Sequence, residues 1–164
     1  MKNSAIIVLL FIIGFIAPIT CIVKHEIFFQ QCGGFLKQAA DASTPEMALE
    51  RINLAIDYIE AHGLTNGYTS VLYKTEDENI GFWYKNIIAA RSELESCLDA
   101  PQLEQSNVLM RVREALTDNG ESGTTLTIPY GISRYPQNGL WGILRIISYI
   151  LLIVAIIKFI AEIS

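Results

Sequence analysis

Residues 5–23 read AIIVLLFIIGFIAPITCIV, nineteen positions without a charge. At a rise of about 1.5 Å per residue, a helix over this stretch is about 28 Å long, close to the roughly 30 Å hydrocarbon core of a bilayer. Lys2 precedes it and Lys24 follows it, so it reads as a transmembrane anchor. A cleaved signal peptide is the competing reading. Pro18 blocks an A-x-A-like site after Ala17 and is badly placed for a cut after Thr20, which leaves a cut after Cys21 as the least unfavourable. Cys21 is no lipidation site, because Pro18-Ile19-Thr20 lacks the small residues such a site needs.

The other end of the chain matches it. Residues 140–163 (LWGILRIISYILLIVAIIKFIAEI) carry only Arg145, Lys158 and Glu162 among apolar side chains. The polar residues form no wide helical face, and long charged side chains near the ends of a span reach the headgroups. Trp141 lies where an interfacial aromatic belt is expected. This stretch reads as a second transmembrane helix.

Between these runs lies an ordinary polar middle. Residues 24–139 hold 9 Lys/Arg and 16 Asp/Glu, a net of −7 within a whole-chain net of −5. With 51% apolar and 18% charged residues, the chain is neither disordered nor a basic nucleic-acid binder. Lys2 argues for cytoplasmic termini with the middle outside, while Arg134 and Arg145 pull the other way. The orientation expected here is both termini inside.

The middle is expected to be helical. Ser43 or Thr44 caps a helix over Pro45–Ala61, Pro45 suits its first turn, Glu46 completes a capping pattern with Ser43, and Gly63 stops it. Ala48, Leu49, Ile52, Ala55, Ile56 and Ile59 share one face, and Met47, Leu54, Tyr58 and Ala61 form an opposite strip, which predicts a central, sandwiched helix. A second helix is expected over Asp77–Leu98, capped at Thr75-Glu76-Asp77-Glu78. A shorter one carries Val108, Leu109, Val112, Ala115 and Leu116, and another joins Lys24 to Ala40 with Gly33-Gly34 as its weak point. Tyr68–Tyr73 and Thr124–Ile128 have strand character and either pair together or remain extended loops.

The fold class is therefore mainly α. A three- to four-helix soluble domain over 24–118 and a turn-rich linker over 119–139 lie between an anchor at 5–23 and a helix at 140–163, with minor extended segments.

Little chemistry is legible. No C-x-x-C, H-x-x-H or Glu-x-x-His spacing surrounds His25, His62 or the three cysteines, so neither a metal nor a cofactor has a framework. His62 is expected at a helix C-terminus, against the last carbonyls. Nucleophile-elbow, Ser-x-x-Lys and phosphate-loop motifs are missing. Glu46, Glu50, Asp57 and Glu60 line one ridge, whose ordinary reading is a solvated face.

Three features stand out. Cys32 and Cys97 form a possible disulfide if the middle is exported, worth roughly 4 kcal/mol in the chain-entropy account. Tyr68, Tyr73 and Phe82 are a candidate contact surface, with Trp83 and Tyr84 assigned to the core. Arg91 falls within the apolar face of its helix and is a possible buried charge, paired with Asp57 or Glu60.

The function these features favour is a non-enzymatic, membrane-tethered accessory, scaffold or interaction protein, its partners membrane lipid and a further protein rather than nucleic acid. One alternative is an exported ligand-sensing domain acting through a partner. The other is a membrane-bound enzyme of unfamiliar type using the acidic ridge or Arg91.

Overall fold

The computed structural model describes residues 2–120 and 123–163. Met1, Glu121, Ser122 and Ser164 lie outside the described residues, and with them the tip of the turn expected at 118–123. The side chain of Lys2, on which the orientation leaned, lies outside them too. The chain is mainly α-helical: α1 (Lys2–Phe28), α2 (Gly34–Ala40), α3 (Pro45–Ala61), α4 (Ile80–Ser96), α5 (Gln102–Leu116) and α6 (Asn138–Ile163), with a hairpin of β1 (Thr117–Gly120) and β2 (Gly123–Leu126). By length and composition α1 and α6 are each able to cross a membrane.

The domain between them closes on itself. α2 packs on α3, α3 on α4, α4 on α5, and α5 returns to α2, which makes a four-helix ring. Leu36, Ile52, Ile59, Ile80, Ile87 and Leu94 fill its centre. α1 enters this ring without a loop, through a π-helical turn at Phe29–Gly33 in which Gly34 N–H donates to the Phe29 carbonyl. The glycines at the expected weak point are where this π turn ends. A Cβ on Gly33 would come within 2.8 Å of the Phe29 ring.

α3 has the bounds its sequence dictates. Thr44 Oγ1 accepts from Met47 N–H at 3.4 Å, and Pro45 opens the helix. At the other end Leu64 N–H donates to Ile59 O and Gly63 N–H to Glu60 O, with Gly63 at φ 65°. That is a Schellman close, and the buried Leu64 completes it. Only one of the two apolar strips is covered, however. Met47 and Leu54 are 52% and 38% exposed, so α3 is a wall of the ring and not a sandwiched helix.

α4 begins later than its acidic residues suggest. Asn79 Oδ1 accepts from Phe82 N–H at 3.0 Å and is the cap, while Glu76–Glu78 form a separate 3-10 turn. An amide side chain at the right backbone position outcompetes a run of carboxylates. The two strand-like segments do not pair with each other. Thr124–Leu126 pairs antiparallel with Thr117–Asn119, and Tyr68 makes a single bridge to Asn79. A hairpin closes a short loop and costs less entropy than joining segments fifty residues apart. Beyond it, Ile132 is buried in the core, with Ile128 and Tyr135 packed against it.

Candidate functional site

α1 and α6 lie antiparallel along their whole length, in one register. Ser4 Oγ donates to Glu162 Oε1 at 3.1 Å at one end, a Cβ on Gly14 would lie 2.8 Å from Leu152 Cγ in the middle, and Lys24 Nζ lies 5.4 Å from the Trp141 ring centroid at the other. The buried residues recur at seven- and three-residue steps: Ile7, Gly14 and Ala17 on α1, Ser148 and Ala155 on α6. Apart from Ile7 these are small residues, which let the two backbones approach closely. The remaining faces, with Ile12, Ile16 and Ile19 on one helix and Ile146, Ile150 and Ile153 on the other, point outward and are exposed.

At the domain-side end of this pair is an open cavity of about 1140 Å³. Its walls are α1 from Pro18 to Phe28, Arg145 and Tyr149 of α6, and the segment from Thr124 to Arg134. One wall is electrostatically settled, because Lys37 and Arg113 both reach Asp41, at 3.1 and 3.7 Å. The opposite wall is not. Arg145 Nη2 donates to the Tyr149 hydroxyl at 3.4 Å, and the Arg134 guanidinium stands 5.5 Å from the Tyr130 ring centroid. Hydrogen bonding from Arg134 and then Arg145 holds the Tyr130 phenol below the usual tyrosine range. Among the described residues neither arginine is ion-paired with a carboxylate.

Beside the start of α6 stands an apolar loop tip. Ile80 N–H donates to Gly67 O and Thr69 N–H to Glu78 O, which pins the base of the loop. Val71, Leu72 and Tyr73 project from it, Leu72 being 86% exposed. A Cβ on Gly139, in the first turn of α6, would lie 3.5 Å from Val71 Cγ1, so the tip stands level with the end of that helix.

The residues singled out by sequence are scattered. Cys32 and Cys97 are both buried free thiols, so the expected disulfide is not formed. Cys32 sits in the π turn that leads into α2, and Cys97 closes α4. Burial pushes the Cys97 thiol up, and its Sγ donates to the Leu94 carbonyl at 3.3 Å.

Tyr68 is half-buried, accepting from Asn79 Nδ2 at 3.3 Å with Lys74 over its ring, Tyr73 is exposed at the loop tip, and Phe82 is exposed on a groove it lines with Asn79 and Pro129. Arg91 is no buried charge, since its side chain is 41% exposed and pairs with Glu95 one turn on, at 2.9 Å. Its long stem lets the guanidinium clear the apolar face. Glu60 instead accepts from the Tyr84 hydroxyl at 2.6 Å, which raises the tyrosine pKa. Glu46, Glu50 and Asp57 are exposed. His62 Nδ1 meets the Tyr58 carbonyl at 2.9 Å, the helix-terminal role expected of it. Among the described residues no cluster of His, Cys, Asp or Glu is arranged to hold a metal.

The sequence marks Arg134 and Arg145 as orientation signals, and Arg145 as a span-end charge that reaches the headgroups. Each arginine meets a tyrosine four positions away, Arg134 with Tyr130 and Arg145 with Tyr149, a spacing the sequence displays, whereas the meeting of Tyr130 with Arg145 is tertiary. The chain matches no protein-family model, no characterised relative and no solved structure.

Proposed function

We propose that this chain is a non-enzymatic, membrane-tethered accessory or interaction protein, with a helical domain carried on the extracytoplasmic side of a two-span hairpin. The observation that carries the reading is the outward apolar surface of the α1–α6 pair. Gly14, Ala17, Ser148 and Ala155 are buried between the helices, while all their isoleucines but Ile7 are left exposed or half-exposed. Contiguous apolar surface of that extent has no stable place in water, and a bilayer covers it without a further protein. Pairing along the full length of both helices also favours a retained α1 over a cleaved signal. Termini brought together by the Ser4–Glu162 bond belong on one side, and the net charge of −7 on residues 24–139 suits export of the rest. The tip at Val71–Tyr73, level with the start of α6, is placed to dip into the headgroup layer.

Two measurements test this. The protein is expected to remain in the membrane fraction through an alkaline carbonate wash and to keep its amino-terminal residues. Release by the wash overturns the tether, and a mature chain starting near Ile22 overturns the hairpin. Crosslinking in membranes followed by affinity purification then identifies the protein partner. The cavity beside Arg134 and Arg145 favours a second reading, in which the domain also binds a ligand.

A further inference from the structure

We propose that the cavity at the domain-side end of the hairpin binds an anionic phospholipid, its phosphate held between Arg134 and Arg145 and its acyl chain lying along Pro18 and Ile22 of α1. The inference rests on the membrane reading above and deepens it by naming a ligand.

Three observations meet there. The first is charge. Of the charged groups around the cavity, Lys37 and Arg113 are satisfied by Asp41, His25 and Glu26 stand on the α1 wall, and among the described residues Arg134 and Arg145 are held only by tyrosine hydroxyls and rings. A guanidinium kept at a low-dielectric boundary without a carboxylate is costly, and its fork of donors matches phosphate oxygens. The second is depth. Arg145 lies seven residues into α6, about 10 Å below its start and one turn beyond Trp141. From that depth its side chain reaches up towards Tyr130, which is the level of a lipid phosphate and not of a soluble anion. The third is shape. At about 1140 Å³ the cavity exceeds the roughly 300–1,000 Å³ of ordinary small-molecule sites, and its wall runs from the arginines directly onto the apolar surface of α1. An amphiphile fits such a wall and a free phosphate ion does not fill it.

The proposal also removes a conflict. Arg134 and Arg145 beside the second span argue against an exported domain if they are read as orientation signals. As ligands for a headgroup they have a different reason to be there, and the acidic domain keeps its outside position.

The test uses the full chain in a neutral detergent, with intrinsic fluorescence reporting its thermal midpoint. Short-chain phosphatidylglycerol, short-chain phosphatidylcholine and inorganic phosphate are added at matched concentration and ionic strength. Only phosphatidylglycerol is expected to raise the midpoint. Arg134→Gln and Arg145→Gln should each weaken its apparent affinity on the order of tenfold, the loss of one charge-assisted contact. Arg145→Lys, which keeps the charge and loses the fork, should fall between parent and Arg145→Gln, and Arg51→Gln, outside the cavity, should retain all of it. An equal shift with phosphatidylcholine overturns the proposal, as does a shift reproduced by phosphate alone or one unchanged in both glutamine variants. If Arg145→Gln fails to fold, Arg134→Gln, outside the span, decides. A headgroup-blind response from a protein that survives the alkaline wash refutes this site alone, whereas loss in the wash refutes the tether beneath it.

Discussion

Ser4 and Glu162, 158 positions apart in sequence, are joined by a hydrogen bond of 3.1 Å. The bond itself is weak, but it fixes a register that Gly14 against Leu152 and Lys24 against Trp141 repeat along the hairpin.

Gly14→Leu tests that register. With a Cβ already 2.8 Å from Leu152 Cγ and Cδ2, a branched side chain forces the helices apart. Ser4→Cys with Glu162→Cys should form an intramolecular disulfide on mild oxidation in the parent. Adding Gly14→Leu should abolish it, as read by maleimide mass-tagging before and after reduction. Unchanged crosslinking would show that the helices do not meet at Gly14.

Ile56→Ala and Glu50→Ala separate core from surface. Ile56 is buried in the ring, and truncating such a side chain costs about 2–5 kcal/mol. Glu50 makes only an exposed pair with Arg51 at 3.4 Å, and such pairs are worth about 0–1 kcal/mol. Urea unfolding of the detergent-solubilised chain should show a large drop in midpoint for the first and almost none for the second.

The cysteines give a chemical check. Under native conditions Cys32 and Cys97 should resist alkylation, since both are buried and burial raises the Cys97 thiol. In denaturant without reductant all three cysteines should label. Labelling of Cys32 and Cys97 only after reduction would restore the disulfide and refute the free-thiol arrangement.

Tyr84 predicts a pH dependence. Its hydrogen bond to Glu60, the largest cause, raises its pKa in the folded chain, with burial adding to it. A folded value above the unfolded one means the stabilisation is complete below the ordinary tyrosine range and is lost as pH rises through the folded value. Absorbance titration at alkaline pH should therefore show Tyr84 ionising earlier in Glu60→Gln than in the parent, with Tyr84→Phe identifying its signal. Coincident curves would remove the bond.

How much of this the sequence discloses depends on the range of the signal. α3 is legible to its last residue because Thr44, Pro45 and Gly63 act within one turn of where they stand, and the Ile52–Ile56–Ile59 face is periodic. Which apolar strip is covered is a tertiary choice, so Met47 and Leu54 misled. Asn79 displaced the acidic cap because capping depends on backbone angles that composition does not carry. The arginines are legible one by one, each beside a tyrosine four positions away, but their convergence on Tyr130 is not, because it depends on how the 130–134 turn folds beside the start of α6.

The π turn at Phe29–Gly33 gives the molecule its mechanical character. Because α1 passes through it into α2 with backbone hydrogen bonding continuous, the helical ring is mounted on a shaft and not hung from a string. On the membrane reading proposed above, a change in the lean or rotation of the hairpin would be carried into the ring through that continuous helix, and the Val71–Tyr73 tip and the wall carrying Arg134 would move with it relative to the headgroups.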